Sequence, residues 1–156
     1  MQNALDIVHE WKARLRAGDA ANMGDIVDLD GYTEICLGLT DWTTGYDVAA
    51  RNYRKNMVDP WSNQESSDEA VLEATAAVAI RSRVVATHTG EFLAIPPTGR
   101  RIAWDAVSIV SVKYGKVVGQ WAQPDLWGIY QQLTRPIDTP AGPEGRDRRR
   151  PNRPRA

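Results

Sequence analysis

Between Arg101 and Lys113 the sequence RIAWDAVSIVSVK is apolar on both of its alternating faces, and no other stretch restricts the fold as strongly. Successive side chains of a strand point to opposite sides, so Trp104, Ala106, Val110 and Val112 share one face while Ala103, Val107 and Ile109 share the other. Such a strand is expected to be covered on both sides. Pro96-Pro97-Thr98-Gly99 before it and Tyr114-Gly115-Lys116 after it are turn signals, and the runs they separate between Thr87 and Leu133 describe an antiparallel meander. Asp105 interrupts the apolar pattern. A carboxylate there is costly unless it is paired, reached by water from a cavity, or held neutral.

The rest of the chain reads as a container for this meander. Leu5, Val8, Trp11 and Leu15 recur at helical spacing from Asn3 to Ala17, and Gly18-Asp19 stops the run. A second short helix is expected over Asp19 to Leu29, with Met23, Ile26 and Val27 inward. Tyr32 to Leu37 is a β-run, Gly38 to Gly45 a loop carrying Trp42, and Tyr46 to Met57 a third helix that ends at Asp59-Pro60. Ala70 to Glu73 and Ala76 to Thr89 read as strands. On the longer one Val78, Ile80, Val84, Ala86 and His88 share a face, with Arg81 and Arg83 on the other. Asp125 fits the N-cap of a last short helix reaching Leu133. Helices followed by a curved antiparallel sheet make an α+β domain over 1–134, its three N-terminal helices lying across one face of the sheet.

Composition excludes several classes of function. One cysteine, Cys36, leaves no internal disulfide or CxxC pattern, and two distant histidines provide no metal-ligand spacing. Neither a GxGxxG nor a GxxxxGK[ST] motif occurs, so the chemistry is expected to use side chains and the substrate's own reactivity, with no metal and no bound cofactor. No apolar run approaches the roughly 20 residues of a membrane span, and MQNALDIVHEWK lacks the form of a secretion signal, so no membrane contact and a cytoplasmic location are expected. Residues 135–156 hold seven arginines against three acidic residues, a net +4 that leaves −5 for the remainder of a chain whose formal charge is −1. This Arg/Pro-rich tail reads as disordered and solvated. With an acidic folded part beside it, no nucleic-acid partner is expected.

His88-Thr89-Gly90-Glu91-Phe92, Pro96-Pro97-Thr98-Gly99-Arg100, Gly115-Lys116-Val117-Val118 and the spacing of Asp125, Gly128 and Leu133 after a Trp together resemble the SnoaL-like polyketide cyclase family. The resemblance implies a cone-shaped fold like nuclear transport factor 2. It also implies a homodimer and an apolar pocket between helices and sheet for an aromatic polyketide. Family cyclases close a ring by an aldol step with an Asp three positions before the Asp125 equivalent and a His on the neighbouring strand. Here Ala122 and Ser108 stand at those places. Trp104-Asp105 resembles instead the anthracycline hydroxylase branch, in which an Asp on this strand is the proton donor. That branch implies oxygen insertion into a reduced quinone, with O2 as co-substrate and a separate NADPH-dependent, short-chain reductase as partner. Hydroxylation is thus the leading expectation, with ester cyclisation and a non-catalytic ligand-binding module as alternatives.

Asp105 is the candidate general acid, or else an ion-pair partner of Arg101, Arg83 or a second subunit. Strict alternation sets it opposite Ser108, and a β-bulge near Arg101 would reverse this. His88 is the second catalytic candidate, with a structural histidine as the plainer role. Trp104, Ser108, Gln120, Trp42, Tyr32, Tyr53 and Asp125 are candidate substrate-binding residues, chosen for aromatic surface or hydrogen-bonding capacity. For Asp125 the helix cap competes with that role.

Overall fold

The computed structural model describes residues 3–19 and 22–136. Of the expected tail over 135–156, positions 137–156 lie outside the described residues. Helix α1 is Ala4–Arg16, and the Asn3 side chain caps it by accepting from Asp6 N at 2.8 Å. Ile7, Val8 and Trp11 form its buried stripe. Gly18, at φ +78°, closes the helix, with Asp19 N donating to Arg14 O across the last turn.

Six strands follow: β1 Thr33–Cys36, β2 Thr43–Thr44, β3 Trp61–Ala74, β4 Ala77–His88, β5 Arg101–Lys113 and β6 Lys116–Pro124. They form one curved sheet in the order β2-β1-β6-β5-β4-β3. Helix α2, Tyr46–Tyr53, runs into a π-helical turn at Arg54–Val58, and α3, Leu126–Thr134, packs on β5. The β5–β6 hairpin turns on Tyr114 and Gly115, both at positive φ, the geometry that matches the twist of a tight hairpin. β3 carries two register shifts, one beside Asn63 at φ +48°, and these bend the long β3–β4 ribbon.

The α+β architecture and the curved sheet agree with the sequence reading. Three local expectations do not. Residues 22–29 form turns rather than a helix, because their backbone is engaged by the sheet: Asp28 N donates to Val117 O and Val117 N to Ile26 O. Only α1 therefore precedes the first strand, α2 following β2 and the third α-helix being α3 after β6. β3 starts at Trp61 instead of Ala70, its polar outer half having no apolar alternation to betray it. The sheet is mixed, since β1 pairs parallel with β6. Gly119 permits that close approach, as a Cβ there would lie 2.5 Å from Thr33 O.

Two buried clusters fill the concave side. One sits under α1 and includes Val8, Trp11, Tyr32, Val78 and Val110. The other comprises Trp61, Val84, Phe92, Trp104, Ile129 and their neighbours. Fully burying an apolar side chain of this size contributes about 1.5–3 kcal/mol, so both clusters hold the helices against the sheet.

Candidate functional site

A cavity of about 170 Å³ opens between α1, the α2–π segment and the concave face of the sheet. Its walls are mainly apolar. Val84, Ala106, Ala122, Pro124 and Met57 form much of them, Met57 coming from the π-helical turn, a distortion often found at functional sites. Polar groups enter from separate elements: Lys12 and Arg16 from α1, Glu34 and Cys36 from β1, Asn52 and Tyr53 from α2, Ser108 from β5 and Gln120 from β6.

Glu34 is the acidic group among these. Its carboxyl accepts a 3.0 Å hydrogen bond from the Tyr32 hydroxyl. Burial pushes the Glu34 pKa above the ordinary carboxylate value, and the Tyr32 bond only partly opposes it. Burial likewise raises the phenol of Tyr53, and it lifts the Cys36 thiol to about 11 with help from the Glu34 charge. On α1, burial lowers the Lys12 ammonium even though Asp68 accepts from it at 2.7 Å.

Of the residues selected from sequence, Ser108, Gln120 and Tyr53 line this cavity. Tyr32 is fully buried behind Glu34, edge-on to Tyr46 at a centroid distance of 5.2 Å. Trp104 is 2 % exposed and lies in the second cluster, 4.7 Å from the Trp61 ring. His88 is fully buried beside that cluster, 5.3 Å from the Trp61 ring. Its Nδ1 accepts from Thr98 N at 3.2 Å and lies 3.0 Å from the Thr98 hydroxyl, while burial lowers its pKa. That anchors the loop before β5. Trp42 is 68 % exposed and away from the cavity lining. Asp125 caps α3 by accepting from Gly128 N at 2.8 Å.

Asp105 lies on the other side of the sheet. The β4–β5 register runs unbroken from Ala77↔Ser111 to Thr87↔Arg101, so no bulge rotates the strand and Asp105 keeps the face opposite Ser108. Its carboxylate accepts from Arg83 at 3.0 Å and from Arg81 at 3.1 Å. Of the ways to accommodate it, the fold uses pairing. Arg101 is engaged elsewhere, bridging Glu65. The expectation that both faces of β5 are covered also needs correction, since Val107 and Ile109 are 40 % and 42 % exposed on the outer side of the single chain.

Sequence reasoning missed Glu34 and Lys12. A signal for Glu34 was present: in the strand beginning at Tyr32, alternation puts Tyr32, Glu34 and Cys36 on one face, so an inward Tyr32 brings a carboxylate inward with it. Lys12 follows a buried Trp11 on a helix flank and carries no such mark.

The model of the SnoaL-like polyketide cyclase family matches residues 11–133. The chain belongs to this family. It is 30 % identical over 148 residues to aklanonic acid methyl ester cyclase DnrD of Streptomyces peucetius, covering 91 % of this chain and 98 % of that protein. Membership makes it an enzyme of the polyketide cyclase and tailoring type. Two solved structures share the fold: a SnoaL-like polyketide cyclase from Agrobacterium tumefaciens (TM-score 0.68, 21 % identity, 85 % of this chain and 99 % of that one) and AclR from Streptomyces galilaeus, assigned as a hydroxylase (TM-score 0.66, 20 % identity, 85 % and 96 %). In this member of the family, Ser108 and Ala122 are direct cross-strand partners and both line the cavity. The positions at which the resemblance sets the aldol pair therefore share one site, and they carry a hydroxyl and a methyl group. Among the described residues no helix is long and apolar enough to cross a membrane, and no cluster of side chains could hold a metal ion.

Proposed function

We propose that the chain is a polyketide cyclase that closes a carbocycle by intramolecular aldol-type addition, with Glu34 moving the proton. The observation that carries this reading is a carboxyl on an apolar cavity wall, held above its ordinary pKa and touched by a single phenol. A base poised nearer to neutrality is what proton abstraction beside a carbonyl needs. Ionised Glu34 takes a proton from a carbon flanked by carbonyls, and that carbon adds to a ketone of the same molecule. One C–C bond forms, the ketone π bond opens to an alkoxide, and the alkoxide takes the proton back. No electrons are exchanged, so the product is an isomer of the substrate. Gln120, the Cα partner of Glu34 across the β1–β6 pair, and Tyr53 supply N–H and O–H donors for the oxygen that gains charge. In this scheme Glu34 replaces the acid/base that Ala122 lacks.

The likeness to DnrD favours an anthracycline-type polyketide as substrate. Oxygen insertion, the leading expectation from sequence, ranks second, because it asks Asp105 to protonate a peroxide in a cavity from which the sheet separates it. That route would draw on O2 and an NADPH-dependent reductase, whereas ring closure draws on neither. The outer face of β5, with Val107, Ile109 and the neighbouring Trp121 partly exposed, fits the expected homodimer contact.

The test is anaerobic incubation with an aromatic polyketide, as the free acid and as its methyl ester, followed by product mass. We expect a product of unchanged mass, formed about 10²–10⁴-fold more slowly by Glu34→Gln. A product heavier by one oxygen, formed only with O2 and reductase, would overturn the cyclase reading.

A further inference from the structure

The cavity is electrically lopsided. Lys12 and Arg16 both line it, while the carboxylate that pairs with them does not. Asp68 stands behind the two cations, 2.7 Å from Lys12 Nζ and 3.5 Å from Arg16 Nη2, and it also accepts from the Ser82 hydroxyl at 2.9 Å. Two cations share one carboxylate, so the cluster keeps an excess positive charge on its cavity side. The Lys12 and Asp68 side chains are only 16 % and 19 % exposed, which limits screening by water. Tyr53 is near enough to Arg16 for the guanidinium to oppose the upward push of burial on its phenol. Lys12 Nζ, Arg16 and Ser82 thus gather donors at one end of the cavity.

Glu34 occupies the other end. In the sheet order its strand β1 is three steps from β4, which carries Ser82, on the order of 14 Å at ordinary strand spacing. A neutral polycycle leaves the cationic end without a counterpart. An oxyanion there would accept from Lys12 and Arg16, the charge-assisted geometry in which both cations are stronger donors than a neutral group would be.

We propose that the substrate of this site carries an anionic group, a free carboxylate on its aromatic skeleton, which Lys12 and Arg16 bind while Glu34 acts at the far end. The inference rests on the ring-closure reading for the identity of the site and adds a substrate class to it. It also separates this chain from DnrD, which is named for a methyl ester. The cavity volume of about 170 Å³ is below the ~300–1,000 Å³ that encloses a drug-sized ligand. A polycycle therefore extends beyond the cavity, and an ionic anchor at Lys12 and Arg16 fixes its register.

The experiment is a binding titration of the full chain with 1-hydroxy-2-naphthoate and with its methyl ester, read by tryptophan fluorescence. We expect the acid to bind about tenfold or more tightly than the ester. Lys12→Met should remove most of the advantage of the acid over the ester, with the far-UV circular dichroism spectrum and melting temperature showing that the variant is folded. Arg16→Met, at a side chain 44 % exposed, should give a smaller loss in the same direction without threatening the fold. Glu34→Gln should keep the acid-over-ester ratio of the wild type, so the anchor and the ring-closure reading fail separately. Equal binding of acid and ester by the wild type, or a preference that survives in Lys12→Met combined with Arg16→Met, would overturn the proposal.

Discussion

The two sides of this sheet treat a carboxylate in opposite ways. On the outer side Asp105 lies between Arg81 and Arg83, each within 3.1 Å, with its side chain 40 % exposed. On the concave side Glu34 faces a cavity with one phenol as its partner. Two guanidinium groups in partial contact with water satisfy a carboxylate and leave it little to do chemically. One phenol in an apolar wall leaves the charged form under-compensated, and that deficit makes Glu34 available for proton transfer. The lesson is that a carboxylate on an apolar strand has two resolutions, and strand face decides between them.

Substitution on the two sides should reproduce the contrast. Glu34→Gln has the largest expected effect, a fall in ring closure of about 10²–10⁴-fold, against a change within a few-fold for Asp105→Asn assayed in parallel. Comparable losses in both variants would erase the distinction. Next in size is Ile109→Glu on the outer face, which should abolish the proposed pairing of two copies, as read by light scattering or sedimentation, while leaving the cavity residues in place. A dimer that persists unchanged would move the contact to another surface. Smaller again is the stability cost of Asp105→Asn, about 1 kcal/mol by chemical denaturation, since exposed pairs contribute little but two adjacent arginines would remain uncompensated.

Much of this was legible because strands have a period of two. The inward set Trp104, Ala106, Ser108, Val110 and the stripe ending at His88 follow directly from alternation, as does the outward direction of Asp105. Tyr114-Gly115 marked its turn because few residue pairs accept positive φ in succession. What escaped was non-local. Met23, Ile26 and Val27 have helical spacing, yet the edge of β6 claims their backbone through bonds to and from Val117. The parallel β1–β6 pair joins segments from opposite ends of the domain, and nothing within either segment announces the other. The site divides along the same line. Ser108 and Gln120 were readable from strand face and residue type and Tyr53 from residue type alone, whereas Lys12 is identified only by the approach of Asp68 and Ser82 from β3 and β4.

The finest difference between the two carboxylates is how folding depends on pH. The folded-state pKa of Glu34 is raised by burial above its ordinary value of 4.5. The folded chain therefore holds a proton over a window in which the unfolded chain has released it. Within that window the unfolded state binds fewer protons, so stability falls as pH rises from the ordinary value toward the folded one, and it is flat on either side. Gln cannot ionise and avoids that fall. Glu34→Gln should match the wild type most closely in acid and become the more stable of the two toward neutrality, by a few degrees in Tm, while losing turnover. Thermal melts of both proteins from about pH 4 to about pH 8 measure the gap. A gap that opens with rising pH marks a carboxylate kept strained at a cost to the fold, the usual relation between stability and an active site. A gap independent of pH would put Glu34 on the same footing as any solvated surface glutamate and remove the physical basis for its role as the base.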